Sequence, residues 1–249
     1  MKKILEICVD SLASARAAIA GGADRLELCS ALALGGLSPA PELFQQIRQE
    51  SSIPIRCLMR TRGGDFLYTQ EEIQLMCMQI RTLRSLGADG FVIGCLTAEG
   101  ILDEAATGAL IEAADGASLT LHRCIDVSRD PVQTYRTAGK LGIDTVLTSG
   151  AARNCVLGKD VIQTLLSVRK SEGGPSILVG AGVNSEVIRT FRKELPELTQ
   201  FHMSGKTETE SGMVFRRDGV PMGIPGMDEW HISQTSETAV RLARKALDE

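Results

Sequence analysis

Aromatic residues make up only 4% of the 249 positions, with one tryptophan and two tyrosines. No run approaches 18 consecutive apolar residues, so no membrane-spanning helix is expected. Lys2-Lys3 before an apolar stretch, with Ala13-Ser14-Ala15 as a mock cleavage site, imitates an export signal. Glu6 and Asp10 interrupt that stretch, so export is not expected either. Positive charge is not in excess: 27 Lys and Arg stand against 31 Asp and Glu, for a net charge of −4, which disfavours a nucleic-acid binder. There is no Cys-x-x-Cys pair. The seven cysteines, at 8, 29, 57, 77, 95, 124 and 155, form no framework of close spacings, so reduced thiols in a cytoplasmic protein are expected. A Gly-x-Ser-x-Gly elbow is missing, which removes the usual signature of serine nucleophiles. No Pro-, Ser- or Gly-rich linker divides the chain.

What is present is an even alternation. Short apolar runs occur at Ile4–Val9, Arg25–Cys29, Ile53–Arg60, Gly90–Gly94, Ser118–Arg123, Asp144–Thr148, Ser176–Gly180 and Gln200–Ser204. Helix-forming segments lie between them, among them Ser11–Ala20, Glu71–Leu86 and Val161–Lys170. Gly21-Gly22-Ala23-Asp24, Leu86-Gly87-Ala88-Asp89 and Leu141-Gly142-Ile143-Asp144 repeat one helix-to-strand junction. Eight units of about 31 residues predict an α/β fold, a single (β/α)8 barrel over residues 1–249, in preference to a doubly wound sheet or two smaller domains. After the eighth run the chain departs from the pattern. Residues 211–233 read as an inserted lid or subunit-contact segment, with Asp218-Gly219 as a hairpin turn, before a last helix at Thr235–Leu247.

Both faces of a strand in a parallel barrel are covered, so polar residues within the runs are informative. Leu5-Glu6-Ile7-Cys8 and Leu26-Glu27-Leu28-Cys29 repeat one pattern. With the leucines and Ile7 facing outward helices, Glu6, Cys8, Glu27 and Cys29 point into the barrel. The same alternation turns Thr120, His122, His202 and Ser204 inward. All lie near the strand C-terminal ends, where such barrels carry their sites. A carboxylate there needs a partner, for which Arg60, Arg62 and Arg123 are the candidates. The bland reading is a structural ion-pair network, but ionisable groups converging from five strands favour a site.

Two chemistries fit these residues. Ser149 and Gly150, Gly180 and Gly182, and Ser204 and Gly205 follow the last three runs, where small residues let backbone N–H groups approach an anion. Glu6 or Glu27 as base, and His122 or Asp126 as acid, would then serve a small anionic substrate held by arginines. Alternatively, Cys8 and Cys29 lie on neighbouring strands roughly 4.8 Å apart, within reach of one soft ion such as Cu(I). The competing reading of these thiols is small buried apolar residues, which is also the reading for Cys124.

The stretches LEICVDS (5–11), GGADRLELCSAL (21–32), GGLSP (35–39), RTRGGDFLY (60–68), HRCIDVSRDP (122–131), VLTSG (146–150), GAGV (180–183) and FHMSGKTETESGMVFR (201–216) resemble the CutC family over essentially the whole chain. The resemblance implies a TIM barrel, homo-oligomers and a role in copper homeostasis, with the family's paired cysteines falling on Cys8 and Cys29. It places the family's mouth residues at Glu6, Glu27, Arg60, Arg62, Asp65, His122, Arg123, Asp126 and His202. Thr61, Cys124-Ile125 and Gly205 depart from the common pattern without removing a charged position. The leading expectation is therefore a cytoplasmic Cu(I)-binding protein with no nucleic-acid or membrane partner. The alternative is an enzyme acting by acid/base chemistry on a small anionic metabolite, phosphorylated ones included.

Overall fold

The computed structural model describes residues 3–249 apart from 218, 221, 224, 225 and 227. Eight parallel strands close into a barrel in sequence order: β1 (Ile4–Val9), β2 (Arg25–Leu28), β3 (Ile55–Leu58), β4 (Gly90–Ile93), β5 (Ser118–Leu121), β6 (Thr145–Thr148), β7 (Ser176–Val179) and β8 (Gln200–Met203). The helices that alternate with them are α1 (Leu12–Ala20), α2 (Pro41–Glu50), α3 (Gln70–Ser85), α4 (Glu104–Ala114), α5 (Pro131–Lys140), α6 (Lys159–Glu172), α7 (Ser185–Glu194) and α8 (Glu237–Asp248). This is the TIM barrel expected from the sequence.

Local chemistry sets the helix starts. Ser11, Asp103, Asp130, Asn184 and Ser236 each accept a backbone N–H of the first turn, and Thr69 forms a reciprocal capping box with Glu72. The last helix begins at Glu237, two residues after the expected start, because Thr235 is occupied in a strand and Ser236 is the cap. Strand ends also differ. The fifth run stops at Leu121, since His122 caps a 3-10 turn over Arg123–Val127. The third is confined to Ile55–Leu58, so Arg60 and Arg62 stand in the loop above it.

Alternation sorts the barrel into an apolar outside and a polar inside. Leu5, Ile7, Leu26 and Leu28 are fully buried in the large cluster shared with the helices. Inside the barrel the apolar cluster shrinks to Cys8, Cys29, Leu58 and Val92. Polar inner positions hold Glu6, Glu27, Arg56, Thr120, His122 and Thr145, all buried. Gly90 makes room for one of them: a Cβ there would stand 3.1 Å from Arg56 Cγ and 2.5 Å from the Ser118 carbonyl.

The repeated helix-to-strand junction has a second layer beyond its glycine. Asp24, Asp89 and Asp144 each sit just before or beside the start of a strand and accept the backbone N–H of the preceding strand. The bonds come from Leu5 (2.7 Å), Ile55 (2.8 Å) and Leu119 (2.7 Å). Each also takes an arginine, from Arg244, Arg48 and Arg56 respectively. These clasps lock the N-terminal end of the barrel.

After β8 an antiparallel arm leaves the barrel, with β9 (Lys206–Glu210) paired to β10 (His231–Thr235) from Lys206↔Thr235 to Glu210↔His231. The expected Asp218-Gly219 turn lies outside the described residues, because Asp218 is not among them. Among the described residues no helix is long and apolar enough to cross a membrane.

Candidate functional site

The strand C-terminal ends surround a cavity of about 450 Å³. Its floor holds Cys8, Glu27 and His202, one wall holds Arg60, Phe66 and His122, and the opposite wall holds Ala181, Gly182, Val183 and Ser204. Arg123 and Lys206 border it as well.

Register explains what meets at the floor. Glu6 lies laterally beside Arg25 on one side and His202 on the other. Its carboxylate takes a hydrogen bond from Arg25 Nε and lies 2.8 Å from His202 Nδ1. Burial works to raise the Glu6 carboxyl, but the Arg25 and His202 charges overcome it and hold the group at about 2. The other ring nitrogen, His202 Nε2, lies 3.8 Å from Glu27 Oε2. Burial pushes Glu27 up, opposed by His202 and reinforced by Glu6. Burial works to lower His202, yet the two glutamates raise it. The result is a chain of three groups fit for a relay: an ionised Glu6 orients the imidazole, whose far nitrogen faces Glu27 across 3.8 Å at the cavity floor.

The arginine partners expected for Glu6 and Glu27 are corrected by this geometry. Arg60 donates to the carbonyls of Leu34, Gly36 and Gly64 and lies over Phe66, tying two mouth loops together. Arg62 pairs with Glu72 and Asp65 on the outer rim and does not line the cavity. Arg123 pairs with Asp126 and donates to Ser149 Oγ. All three leave their strands above the level of Glu6, whereas Arg25 and Arg56 lie within strands at that level. Sequence reasoning missed these two, although the inward parity of Arg25 with Glu27 was the signal for the first.

The expected acids are placed otherwise too. Asp126 accepts from Thr148 Oγ1, Ser149 N, Ser149 Oγ, Ala151 N and Arg123, so its oxygens are taken up in stapling the loop after β6. His122 is pushed down to about 3 by burial and the Arg60 charge, so it is neutral at ordinary pH and no acid. Of the small residues expected around an anion, Gly182 and Ser204 line the cavity. Ser149 Oγ is spent on Asp126 and the Ala152 carbonyl, and Gly150 packs directly on the Gly158 backbone. Gly180 makes room for Leu147 and His202, and Gly205 turns the chain into β9. Ala181, at φ +67, holds a left-handed conformation unusual for a residue with a Cβ, immediately beside the cavity.

The thiols form a third group. Cys8 Sγ and Cys29 Sγ lie 3.6 Å apart, and Cys29 Sγ also donates to the Val9 carbonyl. Cys8, Glu27 and His202 bring one ligand atom each within 4.8 Å of one another, a donor set able to hold an ion. The hydrogen bond to Cys29, burial and the Glu27 charge all push the Cys8 thiol up. Cys124 is pushed up by burial, which makes it a packing residue rather than a reactive thiol.

A model of the CutC family matches residues 3–207. The chain belongs to the CutC family. The family protein CutC of Porphyromonas gingivalis is 41% identical over 240 residues, 96% of each chain, and that of Vibrio parahaemolyticus 39% identical over 245 residues, 98% of each. A CutC crystal structure from Streptococcus agalactiae, which carries a copper-homeostasis name, superimposes with a TM-score of 0.76 at 26% identity. That match covers 82% of this chain and 99% of the other. The 3-hexulose-6-phosphate synthase of Salmonella typhimurium gives 0.52 at 15% identity, over 80% of this chain and 87% of the other, a likeness of fold alone. The CutC family match ends inside β9, at the base of the arm.

Proposed function

We propose that the mouth cavity is the active site of an enzyme that acts on a small anionic metabolite, phosphorylated or carboxylated, by proton transfer. The observation that carries this reading is the Glu6–His202–Glu27 relay at the cavity floor, with one bond of 2.8 Å and one approach of 3.8 Å. Glu27 and His202 move the proton, and Glu6 positions the imidazole. Lys206 and Arg123 supply positive charge along the border, and the turn at Gly182 brings backbone close to the ligand. Thermal-shift screening against phosphorylated and carboxylated metabolites tests it. At least one compound is expected to stabilise wild type and to be turned over by it but not by Glu27→Gln. If no compound stabilises wild type more than Lys206→Ala, the reading fails.

A second reading, Cu(I) binding for copper homeostasis, has its own support in the family's name and in the Sγ atoms 3.6 Å apart. Cys8 and Cys29 would hold the cargo ion as thiolates. Glu27 and His202 could join Cys8 as further ligands, and the reading ranks second because a bound cation has no use for the cationic border of Lys206 and Arg123. A competition titration of reduced protein against a Cu(I) chelator decides it, since affinity unchanged in a Cys8→Ser, Cys29→Ser double variant removes the site.

Two further assignments belong with these. The seven free cysteines support a cytoplasmic setting. Val214 and Phe215, 99% and 67% exposed on the arm, support residues 211–233 as a contact between copies of the chain.

A further inference from the structure

His122 closes β5, and its Nδ1 accepts the Cys124 backbone N–H at 3.2 Å. The ring is neutral, so its one proton sits on Nε2. That residue is only 5% exposed and borders the cavity, yet Nε2 has no hydrogen-bond partner among the described residues. A buried donor left without an acceptor costs about 1–3 kcal/mol, so its persistence calls for a use.

The surroundings keep the ring in this state. A Cβ at Gly94 would stand 2.6 Å from His122 Cε1 and 2.4 Å from Cys124 Sγ, so only glycine leaves the imidazole its place. Phe66 lies against the ring, centroids 4.7 Å apart, and Arg60 lies over Phe66. The nearby guanidinium and the burial together push the imidazole down to about 3. His122 therefore offers a hydrogen bond without offering a proton.

We propose that His122 Nε2–H donates to a carbonyl oxygen of the substrate, and that the substrate is a small anion bearing such a carbonyl, a 2-oxo acid or a keto phosphate. This rests on the reading of the mouth as an active site. A single neutral donor beside an aromatic ring suits an uncharged oxygen. A phosphate or carboxylate is better served by several charged donors, and Lys206 and Arg123 stand elsewhere on the same cavity. Negative charge that builds on the carbonyl oxygen would then meet a donor that keeps its proton.

Nitrogen-15 NMR of histidine-labelled full-length protein tests this with pyruvate and dihydroxyacetone phosphate, against oxalate and inorganic phosphate as controls without a keto group. In the free protein His122 is expected as the Nε2–H tautomer. One of the carbonyl probes should bind and move that N–H resonance, and pyruvate against dihydroxyacetone phosphate separates the two substrate sources. His122→Phe should weaken that probe about tenfold, the value of one lost hydrogen bond. His122→Gln, which keeps an N–H donor, serves if the phenylalanine variant does not fold, and should lose less. A carbonyl probe that binds without moving His122, or binding of the controls alone, overturns this inference and leaves the mouth a ligand site. No binding by any probe overturns both.

Discussion

At the N-terminal end of the barrel, Asp24, Asp89 and Asp144 each hold a strand N–H and an arginine, and their charge is spent on closing the sheet. At the C-terminal end the carboxylate Glu27 meets the Cys8 thiol and, at 3.8 Å, an imidazole nitrogen, and among the described residues His122 Nε2 and Arg60 Nε have no hydrogen-bond partner. The same fold thus treats polar groups in two ways. One end spends its carboxylates on strand N–H groups and arginines to fix the architecture, and the other turns a carboxylate and two imidazoles toward a cavity. Stability is expected to reside at the first end and function at the second.

Glu6 lies between the two ends and belongs to both, so it gives the largest expected effect. Glu6→Gln leaves Arg25 and His202 without their buried counter-charge, at a cost of about 3–5 kcal/mol in denaturant melts at pH 7. The pH dependence has a definite sign. The folded group sits at about 2 against an ordinary 4.5, so its stabilisation is present above 4.5 and is lost as pH falls toward 2. The variant should lack that part of the acid limb, and an unchanged limb would contradict the ion pair.

Asp144→Ala comes next. It removes the Leu119 clasp and the carboxylate facing buried Arg56, and about 2–3 kcal/mol should be lost with ligand response at the mouth retained. Loss of ligand response at matched fraction folded would erase the contrast between the ends. Glu27→Gln should do the opposite, changing stability by about 1 kcal/mol or less while abolishing turnover. Because the Glu27 carboxyl is raised on folding, its contribution is fully present below the ordinary 4.5 and lost as pH rises through the raised folded value. The variant should therefore gain on wild type as pH increases, which melts at pH 4 and pH 7 can read. The smallest effect on stability, within about 0.5 kcal/mol, is expected for Val214→Asp with Phe215→Asp on the exposed arm. Light scattering should still show a lower molar mass, and an unchanged mass would remove the subunit-contact role.

Period-two alternation made the barrel and its inward glutamates, cysteines and histidines legible, because a strand has only two faces. Partner choice was not legible. Glu6 meets Arg25 rather than Arg60 because register decides height within the barrel, and register is a tertiary quantity. The same limit hid Asp126, which looks like an acid in the HRCID stretch and is occupied by loop N–H groups from β6 onward. The three junction aspartates were visible as a repeat, but their strand N–H bonds required the neighbouring strand. The arm was legible as a departure from the pattern, while its strands fell on either side of the expected turn.

The base of that arm has a consequence for construction. Lys206 and Thr235 are paired across the ladder, and Thr235 is fixed from below by Ser14 Oγ and the Ser204 carbonyl. Two points 29 positions apart in the chain are therefore neighbours in space, joined to the barrel by rigid footings. A short turn linking them would give a trimmed barrel, and a foreign domain inserted there would leave both ends of the eighth unit where they already stand.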